Sequence, residues 1–168
     1  MSARKAKKKK LLIHEDFYLW VFIGLVGFWI LLVVMTPVMM YFKFGLMSKI
    51  LNFLFGTSCH QLSSRSLFIM GYQMPVCTRC FAIYFAFFIG CLVFQIGGFK
   101  RNKIISRWWF LVFILPMAID GTTQLFRLRE SNNYLRFLTG FLAGVIVPFY
   151  VIPGYYAVIK MFRKEIER

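Results

Sequence analysis

Four stretches of this chain, residues 17–41, 80–97, 108–126 and 137–158, are long and almost uninterruptedly apolar. A helix needs about 20 mostly apolar residues to cross the hydrocarbon core of a bilayer. Backbone amides find no water there, so a continuous apolar run satisfies its hydrogen bonds within itself, as a helix. A membrane barrel would need short alternating strands, and the sequence does not have that pattern. The expectation is an all-α, four-helix polytopic membrane bundle. Composition agrees: 60% of the 168 residues are hydrophobic, 21 are phenylalanine, and the mean hydropathy is +0.67. A soluble domain of this length could not hide so much apolar surface.

The formal net charge is +15. On a soluble chain that would suggest nucleic acid, but here the charge is sorted between the spans. No basic face interleaved with aromatics lies outside them, which argues against a nucleic-acid partner. Arg4, Lys5 and Lys7 to Lys10 precede the first span. Lys100, Arg101, Lys103 and Arg107 lie between the second and third, and Lys160, Arg163, Lys164 and Arg168 follow the fourth. These are 14 of the 21 basic residues. By the positive-inside rule that side is the cytoplasm. The expected localisation is the cell membrane, here the bacterial inner membrane, multi-pass with both termini cytoplasmic. The basic start resembles the first region of a signal peptide, but the apolar stretch is too long and no small-residue cleavage site follows, so a retained anchor is expected.

One domain is expected: a basic segment 1–16, a four-span membrane domain 17–158 and a basic tail 159–168. Between the first two spans, "FGLMSKILNFLFG" is too short to cross and is expected as an interfacial or re-entrant helix. Its apolar face would carry Leu46, Ile50, Phe53 and Leu54. In the fourth span Gly140 and Gly144 form a small-xxx-small pattern that permits close helix approach.

Two polar segments, 57–80 and 116–144, fall on the outer side. The first holds Cys59, His60, Cys77 and Cys80. Three readings fit. Cys59, Cys77 and Cys80, with His60 or a distant group as fourth ligand, could hold a metal, and C-x-x-C thiolates suit zinc. A disulfide from Cys59 to Cys77 or Cys80 would close a loop of about twenty residues, worth on the order of 3 kcal/mol. A reactive thiol could be activated by Arg79 and the helix N-terminus. Cys91, deep in its span, reads as a core thiol.

In the second segment Asp120, Gln124 and Arg127 share one helix face. An intramembrane carboxylate faces the bundle interior and pairs with a cation, with Arg65, Arg79 and Arg136 as candidates. Arg65, Arg79, Arg127, Arg129 and Arg136, beside Ser64, Ser66, Ser131 and Asn132, form a donor-rich rim suited to phosphate or carboxylate.

The motifs "CHQLSSRS", "PVCTRC" and "PMAIDGTTQLFRLRESNNYLRFLTG" resemble those of the small prokaryotic membrane proteins grouped as domain of unknown function 2085, over about residues 57 to 144. The resemblance implies that Cys59, His60, Gln61, Arg65, Ser66, Cys77, Arg79, Cys80, Asp120, Gly121, Gln124, Arg129, Glu130, Ser131, Asn132 and Arg136 match a shared signature. It supplies no reaction.

The expected site is one outward-facing polar patch with the two segments as its walls. Arg65, Arg79, Gln124, Arg129, Glu130, Ser131, Asn132 and Arg136 would bind an anionic, phosphate-bearing lipid or lipid-linked substrate. In an enzyme Asp120 or His60 would serve as general base. A carrier or binding protein for a small anionic or lipid-linked solute, or a membrane thiol oxidoreductase, are the alternatives. Partners expected are membrane lipids and a possible second copy in a homodimer. With both termini inside, a reporter fused after Arg168 that matures only in the cytoplasm is expected to be active. Activity instead from a reporter that matures only outside would mean that residues 44–56 cross the membrane.

Overall fold

The computed structural model describes residues 2–99 and 104–166. Four helices are long and apolar enough to cross a membrane: Phe17–Tyr41, Thr78–Ile96, Arg107–Leu125 and Asn133–Val158. They match the expected runs to within a few residues at each end. Of the basic residues used for orientation, Lys100, Arg101, Lys103 and Arg168 lie outside the described residues. So do the side chains of 1–16, 159–160 and 162–168.

In chain order the elements are α1 (Ser2–Tyr41), α2 (Gly45–Gly56), a 3-10 turn (Ser63–Arg65), β1 (Ser66–Ile69), β2 (Tyr72–Cys77), α3 (Thr78–Ile96), α4 (Arg107–Leu125), α5 (Asn133–Ile146) and α6 (Pro148–Ile166). The fourth span is α5 followed by the start of α6, interrupted at Val147. Pro148 has no N–H to offer a continuing helix, but at a first helical position that loss is harmless.

The end of α1 decides how the next segment lies. Phe44 N–H bonds Met39 C=O at 2.9 Å and Lys43 N–H bonds Met40 C=O at 3.1 Å, with Lys43 at φ 61°. This paired ending with a left-handed residue is the Schellman motif, and it reverses the chain. As a result α2 runs back along α1: Leu51 packs with Val33, and the Phe55 ring lies 4.9 Å from Trp29. Twelve helical residues separate Trp29 from Tyr41, so the end of α2 sits about 18 Å back from the end of α1. This is the re-entrant form of the expected helix. The face turned inward is Ser48, Leu51 and Phe55, while Leu46, Ile50, Phe53 and Leu54 are exposed. In lipid the outer face of a short helix is apolar too, so periodicity did not tell which face packs.

A two-stranded hairpin follows, which the apolar runs did not announce. β1 and β2 pair antiparallel, with Ile69 opposite Tyr72 and Phe68 opposite Gln73. Met70 (φ 53°) and Gly71 (φ 81°) form its two-residue turn. Two left-handed turn residues are what the right-handed twist of a tight hairpin requires. Met74 and Val76 are buried against Val33, Leu51 and Phe55. The side chain of Gln61 donates to Asn52 C=O at 2.7 Å and Pro75 C=O at 2.9 Å, tying α2 to β2.

The tightest helix pair is α3 with α5. Ala82, Ala86 and Gly90 on α3 face Gly140, Ala143 and Gly144 on α5, and all six are buried. A Cβ added at Gly144 would lie 2.5 Å from Ile83 C=O, and one at Gly140 2.7 Å from Arg79 C=O. Only glycine allows the backbones this close. Away from the polar end, Leu19, Ile23, Cys91, Phe94, Ile152 and Tyr156 close the bundle as one apolar cluster. Cys91 is a core thiol there, as expected.

Gly144→Leu is expected to wedge α5 from α3 and lower stability by about 1–3 kcal/mol. Gly154→Ala, where an added Cβ meets nothing within 4 Å, should be neutral or stabilise by up to about 1 kcal/mol. Thermal unfolding in one detergent compares the two.

Candidate functional site

The two polar segments meet at one end of the bundle. Arg79, in the first turn of α3, ion-pairs with Asp120 Oδ2. Arg129 reaches Asp120 Oδ1 at 3.3 Å, and the Ser131 hydroxyl beside it donates to Asn132 C=O at 3.3 Å. On α5, Asn133 donates to Ser66 C=O at 3.5 Å, while Arg136 donates to Ser64 C=O at 3.4 Å and to Asn133 Oδ1 at 3.0 Å. Thr78 bonds Arg65 C=O at 3.1 Å. The 57–80 and 116–144 segments therefore form one surface.

That surface encloses a cavity of about 630 Å³. Its walls include Arg65 and Arg79 from the first segment, Gln124, Arg127, Arg129 and Glu130 from the second, and Ser131 and Arg136 at the start of α5. Five guanidinium groups thus share it with Glu130, and two of them, those of Arg79 and Arg129, pair with Asp120. Arg79 Nε, Gln124 Nε2 and Arg136 Nε are buried with no hydrogen-bond partner among the described residues. Each is a donor, and a buried donor left unpaired costs about 1–3 kcal/mol. Arg127 ends α4 in a left-handed conformation (φ 56°) within a second Schellman turn, Leu128 N–H bonding Thr123 C=O at 3.0 Å. Glycine is the usual residue there.

Beside the arginines lies a smaller cavity of about 170 Å³ over the cysteines, and Arg65, Arg79 and Arg136 line both. The sulfurs of Cys59, Cys77 and Cys80 all lie within 4.8 Å of one another. In a tetrahedral zinc site with Zn–S bonds of about 2.3 Å, neighbouring sulfurs sit about 3.8 Å apart. Three sulfurs this close fit a single ion after a small adjustment. Cys77 N–H donates to Cys59 Sγ at 3.1 Å. The Cys77 thiol is pulled down to about 5, chiefly by the hydrogen bond from the Cys80 thiol, with burial opposing the shift. The shift favours the thiolate, the form that binds metal or reacts. All four cysteines are unbridged.

Three expectations change. His60 is exposed; it lines the smaller cavity, but its ring nitrogens are not among the donors gathered within 4.8 Å, so the ligand set here is three sulfurs. Two adjacent residues cannot easily turn both side chains to one point. Asp120 has each oxygen engaged by a guanidinium, which describes an anchor rather than a free base. Asn132 is exposed and caps α5, its Oδ1 accepting from Leu135 N–H at 2.8 Å, and it is not in the cavity wall. Arg65, Arg79, Gln124, Arg129, Glu130, Ser131 and Arg136 are all in that wall. The expected cation for Asp120 was Arg65, Arg79 or Arg136; it is Arg79, joined by Arg129. Asn133, which links Ser66 to Arg136, was not anticipated, although its place three residues before Arg136 on a helix was visible.

Residues 59–150 match the family described as predicted membrane protein, domain of unknown function 2085. An uncharacterized protein of Methanocaldococcus jannaschii is 47% identical over 107 residues, covering 62% of this chain and 69% of its own. An uncharacterized protein of Methanothermobacter thermautotrophicus is 37% identical over 90 residues, covering 52% of this chain and 78% of its own. Both organisms are archaea, so the bacterial setting expected from the sequence has no support. No solved structure matches the chain. The match spans both cysteine-bearing and arginine-bearing walls of the site, and the chain belongs to the domain of unknown function 2085 family of membrane proteins.

Proposed function

We propose that the protein binds an anionic, phosphate-bearing lipid headgroup or lipid-linked substrate in the arginine-lined cavity, at the outer face of the membrane, with a zinc ion held by the neighbouring cysteines. The observation that carries the reading is the set of unpaired buried donors, Arg79 Nε, Gln124 Nε2 and Arg136 Nε. Helices α3, α4 and α5 each contribute one. Donors of this kind call for an acceptor, and guanidinium forks match phosphate oxygens in spacing and charge. A carrier would also need a polar path to the other side. The cluster of Leu19, Ile23, Phe94 and Ile152 makes that end apolar.

Cys59, Cys77 and Cys80 would supply three thiolates, leaving one position of a tetrahedral ion open, as in zinc sites that also bind a substrate or water. When bound, the ion would polarise an oxygen ligand. The three shared arginines would offset the negative charge of the thiolates.

Three outcomes are expected. Protein purified in mild detergent should retain phosphate-bearing anionic lipids, measured by lipid mass spectrometry, and combined Arg127→Ala and Arg136→Ala substitution should lower their content at least tenfold. Unchanged lipid content would remove the headgroup reading. Elemental analysis should give about one zinc per chain, lost in Cys77→Ser and retained in His60→Ala; a metal-free wild type would return the cysteines to the disulfide or thiol readings. Asp120→Asn, which strands two guanidinium groups around a buried site, should cost on the order of 3 kcal/mol in stability.

A further inference from the structure

The end of the bundle opposite the arginines holds a separate cleft. There α1 and α6 both pack on α3, around Cys91 and Phe94, and leave a space of about 200 Å³ between them. Leu19, Ile152 and Tyr156 form its floor and are buried. Tyr18, Phe22, Val151 and Tyr155 form its rim and are exposed. Among the described residues no charged side chain lines it.

Its chemistry and its place in the span restrict what fills it. Water settles in a cavity only where it finds about two to four polar partners, and apolar walls stay dry. A pocket for a soluble ligand commonly has about 300–1,000 Å³, so this cleft takes only a segment of something longer. In a bilayer the substance at hand is an acyl chain. Tyr18 is the second residue of the first span, and Tyr155 and Tyr156 come just before Val158, the end of the fourth. Tyrosine collects at the headgroup level of membranes. The mouth of the cleft therefore lies where a chain joins its headgroup.

The charge beyond the mouth selects the headgroup. Both helices continue past the cleft, and the extensions 2–16 and 159–166 carry nine basic and three acidic residues. On α6, Lys160 and Arg163 follow Tyr156 at i+4 and i+7, the spacing of one helix face. The charges next to Tyr18 on α1, Glu15 and Asp16, are acidic, so the cationic side of the mouth is α6. Basic groups flanking a groove between membrane helices suit anionic headgroups.

We infer that the cleft between α1 and α6 binds an anionic phospholipid, one acyl chain lying against Leu19, Ile152 and Tyr156 and the headgroup phosphate at the α6 side of the mouth. This second lipid site stands at the other end of the bundle and does not depend on what the arginine-lined cavity holds.

The test uses the full-length protein in vesicles and a phosphatidylglycerol whose acyl chain carries a photoreactive diazirine, with cross-links mapped by mass spectrometry. Labelling of 18–22 and 151–156 is expected to exceed that of 108–115 on α4 at least threefold, although Trp108, Leu111, Val112 and Leu115 there are at least as exposed as the rim. Unlabelled phosphatidylglycerol should compete at least fivefold better than zwitterionic phosphatidylethanolamine. Val151→Trp, at an exposed rim position, should bring the cleft down to the α4 level without lowering the unfolding temperature. Lys160→Gln with Arg163→Gln should keep the labelling and narrow the preference between the two lipids to less than twofold. Uniform labelling of α1, α4 and α6 in the wild type would overturn the site, and equal competition by the two lipids would overturn its anionic selectivity. Labelling that emerges only when the protein is diluted to monomers would assign the cleft to a second copy and overturn the lipid.

Discussion

Asp120 is the one buried residue of α4, and it is charged. An aspartate facing lipid at mid-helix costs about 3 kcal/mol on insertion scales. Here each carboxylate oxygen meets a guanidinium, one from α3 and one from the loop beyond α4. Helices already surrounded by lipid gain little hydrophobic free energy by touching one another, so polar and close-packed contacts decide where they sit. For α4, whose other large side chains such as Trp108, Val112, Leu115 and Ile119 are exposed, that ion pair defines the docked position. It also orients Arg79. The guanidinium end is committed to Asp120, and Nε has no hydrogen-bond partner among the described residues.

The small-residue seam between α3 and α5 serves the same end of the molecule. Arg79 C=O lies where a side chain at Gly140 would have to be, so the backbone that carries Arg79 is held directly against the helix that carries Arg136. Two arginines on separate helices would repel one another if either were free to move. A rigid seam and a shared carboxylate keep them adjacent, and the positive charge that collects there is a property of the packing as much as of the composition.

The sequence was most informative where one constraint dominated. Span-length apolar runs give membrane helices whatever surrounds them, and Gly140 with Gly144 marked a close approach correctly. An isolated aspartate among apolar residues announced a buried ion pair, though Arg129 as second partner depended on how the loop turns after Phe126. What the sequence concealed depends on several weak signals acting together. The hairpin at Met70–Gly71 is short, and one strand contains a proline, so alternation could not establish it. Ala82, Ala86 and Gly90, the α3 side of the seam, are unremarkable singly and acquire meaning only opposite Gly140 and Gly144. Likewise His60 or a distant group was expected as a fourth ligand, but in the folded loop the Cys59 sulfur lies with those of Cys77 and Cys80 and the imidazole remains exposed.

The first span has 25 residues and the second and third have 19 each, a difference of about 9 Å in helical length. The extra height of α1 is braced by α2 and the hairpin, both of which lie back along it, while α4 stands without such a buttress. By length the apolar spans are thus unequal, the fourth running to 26 residues. A bilayer adapts to unequal hydrophobic heights by local thinning and thickening. If the cavity holds a lipid phosphate, a bilayer thinned beside the 19-residue α4 would bring that phosphate down to the level of the arginines, so that the ligand need not leave the membrane to bind.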